Sequence, residues 1–249
     1  MSRSANLLFA IVAYAIFFAT FLYMICFVGN LPIAPLTVDR GPAAQPLVAV
    51  VIDLALIALF GIQHSVMARQ GFKKAWTRTV PKPIERSVYV LMASAALIIM
   101  FSFWRPIDGV VWDIANPIGQ TVTWALFLCG WGIVLLSTFL INHFELFGLQ
   151  QAWLHLRGRE AAAPVFRQPL LYKWVRHPLY LGFFLAFWAT PHMSYGHLLL
   201  SIGMSIYMLI AISYEEKDLI GYFGREYEEY RSRVGMLIPG IGRRAPPAG

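Results

Sequence analysis

Arg176, His177, Tyr180 and Gly182 fall within seven residues, in the stretch Arg176-His177-Pro178-Leu179-Tyr180-Leu181-Gly182, and the acidic pair Glu215-Glu216 follows 33 residues after Gly182. These residue types can grip an anion at one end and a cation at the other. A guanidinium such as that of Arg176 holds a carboxylate through two hydrogen bonds. Pro178 suits the first turn of a helix, where its missing N–H is not needed. His177 then falls at the helix start, where free N–H groups and the macrodipole favour negative charge. Gly182 lets a ligand approach the backbone. Glu215 and Glu216 suit an ammonium, while Tyr172, Trp174 and Tyr180 offer aromatic faces that attract cations. Each half alone has a plain reading, as basic residues at a membrane boundary or as a solvated helix start. Together, on the two ends of one hairpin, they indicate a pocket for a ligand with an acid, an amine and a positive sulfur.

The elements that must position them are membrane helices. The chain is 58% hydrophobic and 13% charged, against about 25% charged in soluble domains. The expected fold class is all-α, a polytopic membrane helix bundle of five to six spans, organised as a single domain over 1–249. Six apolar segments are read by length: Ala5–Val28, Leu47–Met67, Val88–Phe103, Ile118–Ile141, Leu179–Thr190 and His197–Ser213. Most approach the ~20 residues needed to cross a bilayer. Leu179–Thr190 stops at Pro191 after 12 residues, about 18 Å of helix, so the last two segments are read as a hairpin that need not cross fully. After Ser213, residues Glu216, Leu219, Phe223, Tyr227, Tyr230 and Val234 recur at helical spacing. They predict an amphipathic C-terminal helix at the cytoplasmic surface.

A net charge of +7 could signal nucleic acid, but its distribution excludes that partner. Eighteen of the twenty basic residues lie before the first span, in the 67–88 and 141–179 loops or after Ser213, and only Arg40 and Arg105 fall in the opposite loops. That bias predicts cytoplasmic termini and a cytoplasmic Arg-His-Pro motif. The tail from Arg243 is expected to fray. Cys26 and Cys129 lie inside apolar runs and read as packing residues, and no metal site is expected. Asp53, within the second segment, needs a partner, and a structural hydrogen bond between helices is the expectation.

The stretch 176–182, the Glu215-Glu216 pair and Phe223-Gly224-Arg225-Glu226-Tyr227-Glu228-Glu229-Tyr230 together resemble the isoprenylcysteine carboxyl methyltransferase and phospholipid methyltransferase superfamily of membrane enzymes. That resemblance implies S-adenosylmethionine as cofactor, held by Tyr172, Arg176, His177, Pro178, Tyr180, Gly182, Glu215 and Glu216 in a 170–240 module. Gly235 stands where the family often has a proline, which predicts a looser C-terminal cover. The N-terminal half, residues 1–145, reads as the acceptor side. Its Gly61-Ile62-Gln63-His64-Ser65-Val66-Met67-Ala68-Arg69, Pro81–Leu91 and Trp104-Arg105-Pro106-Ile107 resemble the bacterial methanethiol S-methyltransferases, although a denitrification-linked membrane family shares the His64–Arg69 element. The implied reaction is methylation of methanethiol, a small volatile thiol, to dimethyl sulfide at the bacterial inner membrane, with membrane lipid as the other partner and no obligate protein partner. A thiol is mostly protonated at neutral pH, so a base would help. His64 and His143, both at cytoplasmic ends of spans, are the candidates, with His64 preferred. Three other readings stay open: a methyltransferase of a lipid or prenylated cysteine, a haem carrier ligated by His64 and His143, and a membrane interaction or assembly protein that binds no S-adenosylmethionine.

Overall fold

The computed structural model describes residues 2–160 and 165–243; Arg244 and the rest of the tail expected to fray lie outside them. The protein is all-α and polytopic, with five helices among the described residues long and apolar enough to cross a membrane. These are α1 (Arg3–Val28), α2 (Pro46–Ala68), α4 (Lys82–Phe103), α5 (Pro117–Ile141) and α9 (Tyr195–Phe223). Among the described residues there are also short helices α3 (Gln70–Trp76), α6 (His143–Leu146), α7 (Leu149–Leu156), α8 (Pro178–Trp188) and α10 (Arg225–Arg233), a 3₁₀ turn (Leu170–Lys173) and strands β1 (Val110–Asp113) and β2 (His192–Ser194). The spans begin where local chemistry permits. The Ser2 hydroxyl accepts from the Ala5 N–H, Asn116 accepts from the Ile118 and Gly119 N–H groups, and prolines open α2 and α4. Such groups satisfy or remove the orphan donors of a first turn.

The third segment is longer than its apolar core implied, because α4 starts at Lys82 and carries charge on its first turn. The fifth is short: α8 has 11 residues, about 16 Å, too little to cross alone. The sixth is much longer than His197–Ser213. α9 runs for 29 residues through Glu215 and Glu216 and ends only at Gly224, whose φ of 54° suits glycine. The amphipathic stripe is therefore carried in two pieces, on the end of α9 and on α10, where Tyr227 and Tyr230 are buried.

The chain divides into two compact units. The first holds α1–α4, α6, α7, the antiparallel β1–β2 pair and the beginning of α9. Asp53 is fully buried there. Its Oδ1 accepts from the Arg105 N–H at 2.9 Å, so it links α2 to the segment that leaves α4, as expected of a lone buried acid. The second unit holds α5, α8, the rest of α9 and α10, and it carries the Arg176–Gly182 and Glu215–Glu216 motifs together.

Candidate active site

α8 and α9 run antiparallel. Trp188 at the end of α8 donates its Nε1–H to the Ser205 hydroxyl at 3.0 Å, and at the other end His177 lies 3.2 Å from Glu216. This geometry brings the two motifs to one place. Arg176, His177 and Glu216 are 3%, 4% and 5% exposed, which is unusual for charged groups unless they are paired.

Arg176 is the centre of the cluster. Its Nε donates to Glu216 Oε1 at 2.8 Å, and Nη2 lies 2.8 Å from the same oxygen. Nη2 also donates to the Gly242 carbonyl at 3.1 Å, and Nη1 to the Arg231 carbonyl at 3.2 Å and to the Val234 carbonyl. All three nitrogens of the guanidinium donate to protein acceptors here, in four hydrogen bonds. These contacts hold Arg176 within the fold. The residue ties the α8 start to Glu216 and to the chain after α10.

That C-terminal segment is pinned again by the backbone. Val175 and Gly235 form a parallel bridge, the Arg176 N–H donates to the Gly235 carbonyl at 2.8 Å, and the His177 N–H donates to the Met236 carbonyl at 3.2 Å. Gly235 therefore does not loosen the cover. A Cβ there would lie 2.1 Å from the Ile238 carbonyl oxygen and 2.7 Å from the Gly240 nitrogen, so glycine is what lets the segment fold tightly.

His177 Nε2 donates to Glu216 Oε1, since a carboxylate only accepts, and His177 Nδ1 lies 3.8 Å from Glu215 Oε2. Glu215 remains half-exposed. Pro178 is buried at the first turn of α8, and Tyr180 meets the His177 ring edge-on at 5.7 Å. Gly182 faces helix packing. A Cβ on it would meet the Gly130 carbonyl oxygen at 2.6 Å and the Val134 nitrogen at 2.8 Å, so its missing side chain lets α8 lie against α5.

Three tyrosines wall the cluster. The Tyr230 hydroxyl donates to the Tyr172 carbonyl at 2.6 Å, and Phe166 packs on Tyr227 and Tyr230. Burial pushes all three phenols above their ordinary range. The charge of Glu215 adds to this at Tyr172, and that of Glu216 at Tyr227 and Tyr230, where Arg176 pulls the other way. They remain neutral hydrogen-bond donors.

The profile described as "NnrU protein" matches residues 52–237, well over half of the chain. The chain belongs to the NnrU family. It is 50% identical over 239 residues to a Mycobacterium tuberculosis protein named methanethiol S-methyltransferase, covering 96% of this chain and 98% of that one. A Bradyrhizobium diazoefficiens protein named methanethiol S-methyltransferase 1 is 53% identical over 232 residues, covering 93% and 81%. Human nurim is 30% identical over 178 residues, covering 67% and 66%. No solved structure matches the chain. The resemblance carried by the motifs thus agrees with relatives along the whole chain.

In this NnrU chain the two candidate histidines lie in the first unit and the Arg176–Glu216 cluster in the second. His64 lies on α2 with Phe60 stacked at 5.2 Å and Tyr89 at 5.0 Å. His143 is buried on α6, and its Nε2 is 2.8 Å from the Tyr14 hydroxyl. Burial holds the His143 pKa below the ordinary value. Both rings border one apolar cluster: Tyr89 belongs to it with Met67 and Val90, and Phe17 and Phe147 pack against it. Three residues escaped the sequence reading as site residues. Tyr14 was an unremarked residue of an apolar run, Tyr227 one of a stripe, and Arg231 a topology charge.

Proposed function

We propose that this protein methylates methanethiol to dimethyl sulfide with S-adenosylmethionine as donor, at the cytoplasmic side of a bacterial inner membrane with both termini in the cytoplasm. The observation that carries this reading is the 50% identity to a protein named for that reaction, over nearly the full length of both chains. The second unit fits the donor. It offers a half-exposed carboxylate in Glu215, the rings of Tyr172 and Tyr180, and buried polar atoms of Tyr227 and Arg231 with no hydrogen-bond partner among the described residues. When bound, S-adenosylmethionine supplies a methyl group on a positively charged sulfur, and such cations are favoured beside aromatic faces.

The chain's own groups then bind, orient and deprotonate. Glu215 faces the ammonium. Glu216, bonded to Arg176 and His177, holds the α8 start in register. A neutral histidine of the first unit takes the thiol proton. His143 is the stronger candidate, because a base oriented by a third group is the arrangement that activates a nucleophile, and Tyr14 supplies that group. His64 borders the same apolar cluster as His143. Positioning of the two reactants provides most of the acceleration in such a displacement.

The test is headspace detection of dimethyl sulfide from purified protein given S-adenosylmethionine and methanethiol. Methylation of a prenylated cysteine or a lipid with no dimethyl sulfide would replace the acceptor. A Soret band with no methylation would replace the reading altogether.

A further inference from the structure

We propose that Tyr227 and Arg231, rather than Arg176, recognise the carboxylate of the amino-acid moiety of the donor. The inference rests on the donor assigned above and deepens it. All three guanidinium nitrogens of Arg176 donate to protein acceptors, so a ligand carboxylate would compete with the contacts that hold the C-terminal segment.

Two other donors beside the same cluster are unused. The Tyr227 hydroxyl and the Arg231 Nε are buried, and neither has a hydrogen-bond partner among the described residues. Tyr227 is 2% exposed. A buried donor left without a partner carries an uncompensated desolvation penalty. Such atoms are rare in native proteins and mark where a hydrogen-bond acceptor is wanted. The two residues are four apart on α10, so they share one face of that helix, and they supply one neutral and one cationic donor side by side.

The charge balance points the same way. Glu216 Oε1 is shared by Arg176 and His177. Its Oε2 has Arg231 Nη1 at 3.9 Å, beyond hydrogen-bond range, and the Arg231 side chain is only 13% exposed. Arg176 and Arg231 thus bring two permanent positive charges against the single buried carboxylate of Glu216. A buried charge without full compensation is unfavourable, and an incoming carboxylate supplies the missing negative charge. Glu215 is turned toward the other ring nitrogen of His177 and is half-exposed, which leaves it for the ligand's ammonium. The zwitterion then meets opposite charges at both of its ends. The phenol of Tyr227, kept protonated by burial and by Glu216, donates at any physiological pH.

The test compares two probes on the detergent-purified full chain by calorimetric titration: S-adenosylmethionine, and its decarboxylated form, which lacks only the carboxylate. Tyr227→Phe and Arg231→Gln should each weaken S-adenosylmethionine about tenfold or more, and leave the decarboxylated probe unchanged. Tyr227→Phe removes a hydroxyl that bonds nothing, so the thermal unfolding of its ligand-free form should be no lower than wild type, a readout independent of activity. Equal weakening of both probes, or unchanged S-adenosylmethionine binding, overturns the assignment and leaves the donor reading intact. If wild type binds neither probe, the donor reading itself falls.

Discussion

Arg176 and Glu216 meet at 2.8 Å with side chains only 1% and 6% exposed. This pair joins the start of α8 to α9, and the same guanidinium reaches the carbonyls of Arg231, Val234 and Gly242. Removing one partner of a buried ion pair leaves an uncompensated charge, at a cost of about 3–5 kcal/mol. Arg176→Ala should therefore lower stability by that order and free the chain after α10. Limited proteolysis should cut first near Arg233 and Arg243 in the variant. Wild-type resistance in Arg176→Ala would remove the clamp role.

Much of this arrangement was legible in the sequence, and the rest was hidden for definite reasons. Apolar length located all five spans, because a bilayer demands it. The end of α9 was misplaced because Glu215-Glu216-Lys217 reads as a membrane boundary. Charge ends a span but does not end a helix; Gly224 does. The partners of Arg176 were invisible because three of them are backbone carbonyls, which carry no residue signature. The packing role of Gly182 did have a signal: Gly182 and Ala186 form a small-xxx-small pair, the pattern that lets membrane helices approach closely, and both lie against Gly130 of α5.

That contact yields a second prediction. A Cβ at Gly130 would meet the Gly182 carbonyl oxygen at 2.7 Å, and one at Gly182 would meet the Gly130 carbonyl oxygen at 2.6 Å. Both neighbours are backbone and cannot swing aside. Gly130→Ala and Gly182→Ala should each destabilise by about 1–3 kcal/mol, the usual cost of overpacking. A thermal-shift comparison in detergent checks it. A Gly182→Ala protein that is as stable as wild type but defective in ligand binding would return Gly182 to the ligand.

The tyrosine wall gives a prediction at alkaline pH. Free tyrosine ionises near pH ~10, and burial raises Tyr172, Tyr227 and Tyr230 above that. A raised folded-state pKa means the unfolded chain loses its protons first. The stability these groups contribute is complete below pH ~10 and is lost as pH climbs toward the folded-state values. Tyrosinate absorbance after a pH jump should show a fast exposed population and a slow one that appears only with unfolding. In the Tyr172→Phe/Tyr227→Phe/Tyr230→Phe protein the slow population should shrink. A single fast phase in wild type would contradict the burial.

The proposed base on the acceptor side, His143, is tested through its contact with Tyr14. Tyr14 places its hydroxyl 2.8 Å from His143 Nε2, and burial lowers the His143 pKa from its ordinary value near ~6.5. The neutral, proton-accepting form therefore persists below pH ~6.5, and the acid limb of the pH–rate profile should fall below that value. His143→Ala should reduce turnover by about 10²–10⁴-fold, the usual contribution of a general base, with S-adenosylmethionine affinity nearly unchanged. The lost rate should return in part at high pH, where methanethiol ionises unaided. Tyr14→Phe should lower turnover less and shift the acid limb, because it removes only the group that orients the ring. His64, packed between Phe60 and Tyr89, should tolerate His64→Ala with less than a tenfold fall in turnover. The reverse pattern, a selective loss in His64→Ala with an active His143→Ala protein, would move the base to α2 and leave Tyr14 and His143 as packing residues of the aromatic cluster.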